Sequence, residues 1–78
     1  MVNAYALADG APVYHFDCYR LEGFEEALEI GLDEYLESGA YCFIEWAERI
    51  PELLPEHFLL IDLEVLGPAE RKVQATHI

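Results

Sequence analysis

Four consecutive apolar residues, Tyr41-Cys42-Phe43-Ile44, preceded by Ser38-Gly39 and stopped by Glu45, constrain this chain more than any other stretch. Such a run is expected of a strand buried on both faces. The segment before it supplies the helix. Over residues 23–37, Phe24, Leu28, Leu32 and Leu36 recur every four positions while Glu25, Glu26, Glu29, Asp33 and Glu34 take the other faces, which predicts an amphipathic helix. Gly31 falls inside it at a helix-weakening cost of about 1 kcal/mol relative to Ala, so one helix or two short ones meeting at Gly31 fit the pattern equally.

Flanking segments read as hairpins. Residues 2–7 and 13–17 are rich in β-branched and aromatic side chains and are joined through Asp9-Gly10, whose glycine admits positive φ. Residues 58–65 and 71–78 repeat the arrangement around Gly67-Pro68, and Pro51 and Pro55 leave room for a turn of helix between them. The order hairpin, helix, strand, hairpin predicts an α/β fold with a mixed β-sheet and short helices, formed by residues 1–78 as a single domain. At 78 residues a second core is excluded.

Composition narrows the function. Sixteen Asp and Glu stand against four Lys and Arg, for a formal net charge of −12; phosphate backbones are held mainly by Lys and Arg, so no direct nucleic-acid binding is expected. A hydrophobic content of 54% excludes a disordered acidic tail. The start of the chain carries no basic leader, and no run approaches the roughly 20 apolar residues of a membrane span, so a cytoplasmic protein without membrane association is expected. Cys18 and Cys42 are the only cysteines, each in an apolar run, and they read as buried thiols of a reducing compartment. His15 and Cys18 lack the second ligand pair that structural zinc requires.

The chemistry rests on two apolar strands that each end in a carboxylate, Val13-Tyr14-His15-Phe16-Asp17 and Tyr41-Cys42-Phe43-Ile44-Glu45. In open α/β sheets ligands bind outside the carboxyl ends of the strands, and magnesium is commonly held there by one or two carboxylates beside substrate phosphates. By pattern alone two readings stand: an ion shared by Asp17 and Glu45, or ordinary strand ends in an acid-rich chain.

The segments His15-Phe16-Asp17-Cys18-Tyr19-Arg20-Leu21, Gly31-Leu32-Asp33-Glu34-Tyr35-Leu36 and Phe43-Ile44-Glu45-Trp46-Ala47-Glu48-Arg49 resemble, in order and spacing, the TsaE (YjeE) family of bacterial ATPases. The resemblance covers residues 2–63. It implies the C-terminal part of a P-loop nucleotide hydrolase fold, with ATP and Mg2+ as cofactors and TsaB- and TsaD-type partners in making threonylcarbamoyladenosine at tRNA position 37. Carried over residue by residue, Asp17 and Glu45 are the magnesium-binding and catalytic acids, and Trp46 is a nucleotide-site neighbour. Arg20 is either a phosphate or partner contact or one half of a structural ion pair. Cys18 stands where leucine is usual and Ala47 where proline is usual.

The family's Gly-rich loop ending Gly-Lys-Thr and its Ser-Pro-Thr-Phe segment are absent from these 78 residues, and Lys72 is the only lysine. Backbone N–H groups of such a loop cradle the phosphates and its Lys reaches the β/γ oxygens. The expectation is therefore a part of the family's domain that is inactive toward ATP by itself. The alternative is a non-catalytic acidic interaction module derived from the same family. With the loop's strand and helix missing, self-association through exposed sheet edges is also expected.

Overall fold

The backbone of residues 7–11 turns tightly enough to start a sheet. Gly10 takes a φ of +89°, its N–H donates to Leu7 O at 2.9 Å, and the Ala11 N–H donates to Asp9 Oδ1 at 2.9 Å. This turn joins strands β1 (Val2–Ala6) and β2 (Pro12–Asp17), which pair antiparallel with Val2 opposite Phe16 and Tyr5 opposite Val13. The structure is a computed structural model describing residues 2–78.

From Asp17 the chain crosses one face of the sheet as two short helices, α1 (Phe24–Glu29) and α2 (Leu32–Leu36). They break at Gly31, whose φ of +77° is open to glycine at little cost and to other residues only with strain. The chain then returns as β3 (Tyr41–Glu45), parallel to β2, with Phe16 beside Ile44 and Asp17 beside Glu45. The three strands lie in the order β1-β2-β3 and form the expected mixed sheet. Two single turns of 3-10 helix, Ala47–Arg49 and Pro51–Leu53, lead to strands β4 (Leu59–Gly67) and β5 (Glu70–His77), an antiparallel pair forming its own two-stranded sheet.

Period-two alternation decides what the sheet buries. Val2, Tyr14, Phe16, Cys42 and Ile44 point to the helix-covered face, where Phe16, Cys18, Leu21, Ala27, Leu32 and Ile50 are buried. Tyr35 of α2 sets its ring edge-on to Tyr14 at 4.7 Å and to Phe16 at 5.4 Å between centroids, so the helical layer and the sheet meet through aromatic contacts.

Two sequence expectations need correction here. The apolar run of β3 is not buried on both faces: Cys42 and Ile44 face the core, but Tyr41 is 70% and Phe43 56% exposed. The helices lie on one face only, and no other described element covers the second. The helical stripe is also displaced. Ala27 and Leu32 are the buried helical residues, whereas Leu28 and Ile30 are exposed. A four-residue spacing drifts around a helix of 3.6 residues per turn, and the break at Gly31 re-aims the second helix relative to the first.

Phe16 and Phe43 lie on neighbouring strands with opposite faces, so they make an internal comparison. Phe16→Ala is expected to cost about 3–5 kcal/mol of unfolding free energy, while Phe43→Ala costs about 0.5 kcal/mol or less. Urea unfolding followed by circular dichroism measures both, and equal costs would contradict the one-sided core.

Candidate functional site

Asp17 and Glu45 end β2 and β3 and are partners in the parallel register. Neighbouring strands lie about 4.8 Å apart, and register partners of a parallel pair send their side chains to the same face. Their inward neighbours, Phe16 and Ile44, belong to the core, so both carboxylates belong to the opposite, solvent side of the strand ends. Both acids are exposed. Asp17 is held by its own turn: the Tyr19 N–H donates to Asp17 Oδ1 at 3.0 Å. The Cys18 N–H donates to the Glu45 carbonyl at 3.1 Å and carries the pairing one residue past the strand end.

His15 shares this face, two residues before Asp17, and its Nε2 lies 3.4 Å from Glu45 Oε1, with His15 34% and Glu45 61% exposed. At that separation and exposure the pair orients more than it stabilises. Trp46 follows Glu45 with a left-handed backbone, φ 59° and ψ 42°. Its ring meets that of Tyr19 at 4.9 Å between centroids, and the Arg49 guanidinium lies over the Tyr19 ring at 5.8 Å. Arg20 is exposed and makes no ion pair among the described residues. The structural-pair alternative for that side chain therefore has no partner here.

The strand ends thus gather the four sequence-predicted residues and add three. Arg20, Trp46, Asp17 and Glu45 adjoin the ends of β2 and β3; His15, Tyr19 and Arg49 join them. The placement of His15 follows from its i−2 spacing to Asp17. The Tyr19 to Trp46 contact has no linear signal, because it joins segments 27 positions apart. Arg20 and Arg49 are also the only Lys or Arg before Arg71, and each follows a strand-end acid by three or four positions in the chain.

Magnesium fits this donor set. Hard carboxylate oxygens stand on an open face, and no cluster of three or more His, Cys, Asp or Glu ligands occurs among the described residues. That suits an ion which keeps several waters and takes one or two carboxylates, and does not suit a fully protein-ligated metal. The acids are not enclosed in a pocket. A hollow of about 320 Å3 beside Tyr14 and Tyr35, and an acidic one of about 810 Å3 along α1, are lined by neither Asp17 nor Glu45.

The thiols take no part in the acid pair. Cys18 is buried and free; Cys42 is half-buried and free, with its Sγ 3.5 Å from Tyr35 O. Burial pushes both thiols up, and the Asp17 charge adds to the shift at Cys18. Raised values mean the folded chain holds these protons more tightly. The resulting stability is complete below the ordinary thiol range and is lost as pH rises through the folded values.

No helix among the described residues is long and apolar enough to cross a membrane. Residues 1–73 match the family model for the threonylcarbamoyl adenosine biosynthesis protein TsaE. Among curated proteins, the chain is 40% identical over 67 residues to the tRNA threonylcarbamoyladenosine biosynthesis protein TsaE of Bacillus subtilis, covering 86% of this chain and 41% of that protein. It is 39% identical over 61 residues to the protein of the same name from Treponema pallidum, covering 78% and 45%. The Rickettsia bellii protein of that name is 42% identical over 65 residues, covering 83% and 44%. The chain therefore spans less than half the length of these relatives.

The burial difference between the thiols gives an expected order of reaction. At pH 8 Ellman's reagent should modify Cys42 first and Cys18 only at the rate of unfolding, with the difference abolished in urea. Equal rates in native buffer would contradict the placement of Cys18 in the core.

Proposed function

The chain belongs to the TsaE family, and from that premise we propose that it supplies the magnesium-binding edge of an ATP-hydrolysing protein that acts in forming threonylcarbamoyladenosine on tRNA. The observation that carries this reading is the register of β2 and β3, which places Asp17 and Glu45 side by side at the strand ends. The pairing of two acids from positions 28 apart supports an ion shared between them over unrelated strand ends. Ligands of open α/β sheets bind at such ends.

In this reading Asp17 and Glu45 hold Mg2+, directly or through water, and one of them orients the water that attacks the terminal phosphate. When bound, the ion neutralises charge on the β- and γ-phosphates. The turn through Tyr19 keeps Asp17 Oδ1 engaged with a backbone N–H, which limits the rotation of that carboxylate before any ligand arrives. His15 does the corresponding work for Glu45 at 3.4 Å. Arg20, exposed and unpaired among the described residues, offers a phosphate or partner contact, and Trp46 lies beside the nucleotide.

The phosphate cradle has to come from elsewhere, since these 78 residues contain no Gly-rich loop ending Gly-Lys-Thr. ATP hydrolysis is therefore proposed for a protein of the relatives' full length, in which residues 1–78 form one part of the domain. TsaB- and TsaD-type proteins are its partners in the cytoplasm, and tRNA is contacted through them, because a net charge of −12 opposes direct binding. The missing loop also supports a second reading, an acidic interaction module that keeps the fold without the chemistry.

ATP turnover by a chain of the relatives' length separates the two, and mutation of the acids tests their assignment. In a chain extended to the relatives' length, Asp17→Asn and Glu45→Gln are each expected to lower ATP turnover at least about tenfold, a loss of about 1.4 kcal/mol in transition-state stabilisation, measured at limiting magnesium. Wild-type rates in both variants would make the acids ordinary strand ends and the site assignment wrong.

A further inference from the structure

The segments that leave β2 and β3 are joined to each other beyond the last paired residues. The Cys18 N–H reaches the Glu45 carbonyl at 3.1 Å, the Tyr19 ring meets the Trp46 ring at 4.9 Å with an interplanar angle of 56°, and Arg49 lies over Tyr19. Trp46 is the only non-glycine residue among those described with positive φ. Bulky residues avoid that region unless their surroundings hold them there. Burial does not do so, because Tyr19 is 53% and Trp46 49% exposed. The backbone carbonyl of Trp46 is held by the Arg49 N–H at 3.1 Å, and its side chain meets the Tyr19 ring, over which the guanidinium of Arg49 lies, a stacking and cation–π arrangement.

The peptide plane between Glu45 and Trp46 turns with the φ of Trp46, and its carbonyl is the one that accepts the Cys18 N–H. Release of Trp46 would therefore rotate that carbonyl, break the last link past the strand ends and loosen the geometry in which the register sets Glu45 beside Asp17.

We propose that Tyr19 and Arg49 are positioning residues: Tyr19 stacks on Trp46, Arg49 lies over Tyr19, and together they keep Trp46 in its left-handed turn and so fix the strand-end geometry of Glu45 beside Asp17. The inference rests on the reading that the two acids share a divalent ion, and it assigns the side chains that set their geometry. Groups that orient ligating side chains commonly change metal affinity by 10- to 100-fold when removed.

Trp46 is the only tryptophan, so its fluorescence reports the stack on Tyr19 directly, and Mn2+ serves as the probe because it quenches nearby indole emission. The test uses the 78-residue chain. Tyr19→Ala and Arg49→Ala are expected to weaken Mn2+ binding about tenfold, to dissolve the near-UV dichroism of Trp46, and to speed exchange of the Cys18 amide while the amides paired between β1 and β2 keep their protection. Tyr19→Phe, which retains the ring, is expected to restore all three. Unchanged Cys18 exchange and unchanged Mn2+ affinity in Tyr19→Ala would overturn the proposal. Loss of the β1–β2 protection in that variant would mean that Tyr19 serves the whole fold rather than the acid pair, and would overturn it as well. Failure of the ion reading looks different: Asp17→Asn and Glu45→Gln would then leave Mn2+ affinity at the wild-type value, whatever Tyr19→Ala does to Cys18.

Discussion

Parallel pairing of β2 with β3 cannot be closed by a tight turn, and most of the structure depends on that constraint. A chain that leaves β2 at Asp17 must travel back along the sheet before β3 can begin at Tyr41. The return path is α1 and α2, and it stays against the sheet only by burying apolar side chains there. Phe16, Leu21, Ala27 and Leu32 meet under that crossover, with Ile50 contributed by the segment after β3. The two parallel strands then necessarily end at the same edge. Asp17 and Glu45, far apart in the chain, become neighbours because of the crossover that also makes the core.

What can happen at that edge depends on charge. Like charges on adjacent strands repel, and a position that tolerates two carboxylates side by side gains from a cation between them. His15 lies beside Glu45, and Arg20 and Arg49 stand on the segments just past the strands. The rest of the first 57 residues is overwhelmingly acidic, so an anionic ligand meets repulsion along α1. The uncovered sheet face, with Tyr41 and Phe43 exposed, and the β4–β5 hairpin, exposed from Leu59 to Leu66, are the surfaces with no packing partner among the described residues.

Local rules carry the reading of the sequence where local forces decide. The Asp9-Gly10 turn and the hairpin around Gly67-Pro68 are set by backbone chemistry within a few residues, and both are in the structure, while at Gly31 the structure takes the two-helix reading of the two left open. The strand-ending acids are legible for the same reason, as is the family through its ordered motifs. The exposure of Tyr41 and Phe43 is not legible, because an apolar run records that a strand can be covered on both faces, and covering it requires a second layer that no described element provides. The register of Asp17 with Glu45, the His15 contact and the Tyr19 to Trp46 stack are also out of reach. Each depends on how two distant segments align, which periodicity within either one does not specify.

The measurement that bears most directly on the account is the register of β2 against β3 in solution, read from backbone nuclear Overhauser effects in the isotopically labelled chain. The account requires parallel-strand contacts that pair Phe16 with Ile44 and Asp17 with Glu45, continued by a protected Cys18 amide. A slip of one residue would set Asp17 opposite Ile44 or Trp46 and turn one acid away from the other. Contacts showing that slip, or an absence of β2–β3 contacts beside an intact β1–β2 hairpin, would contradict the account at its base.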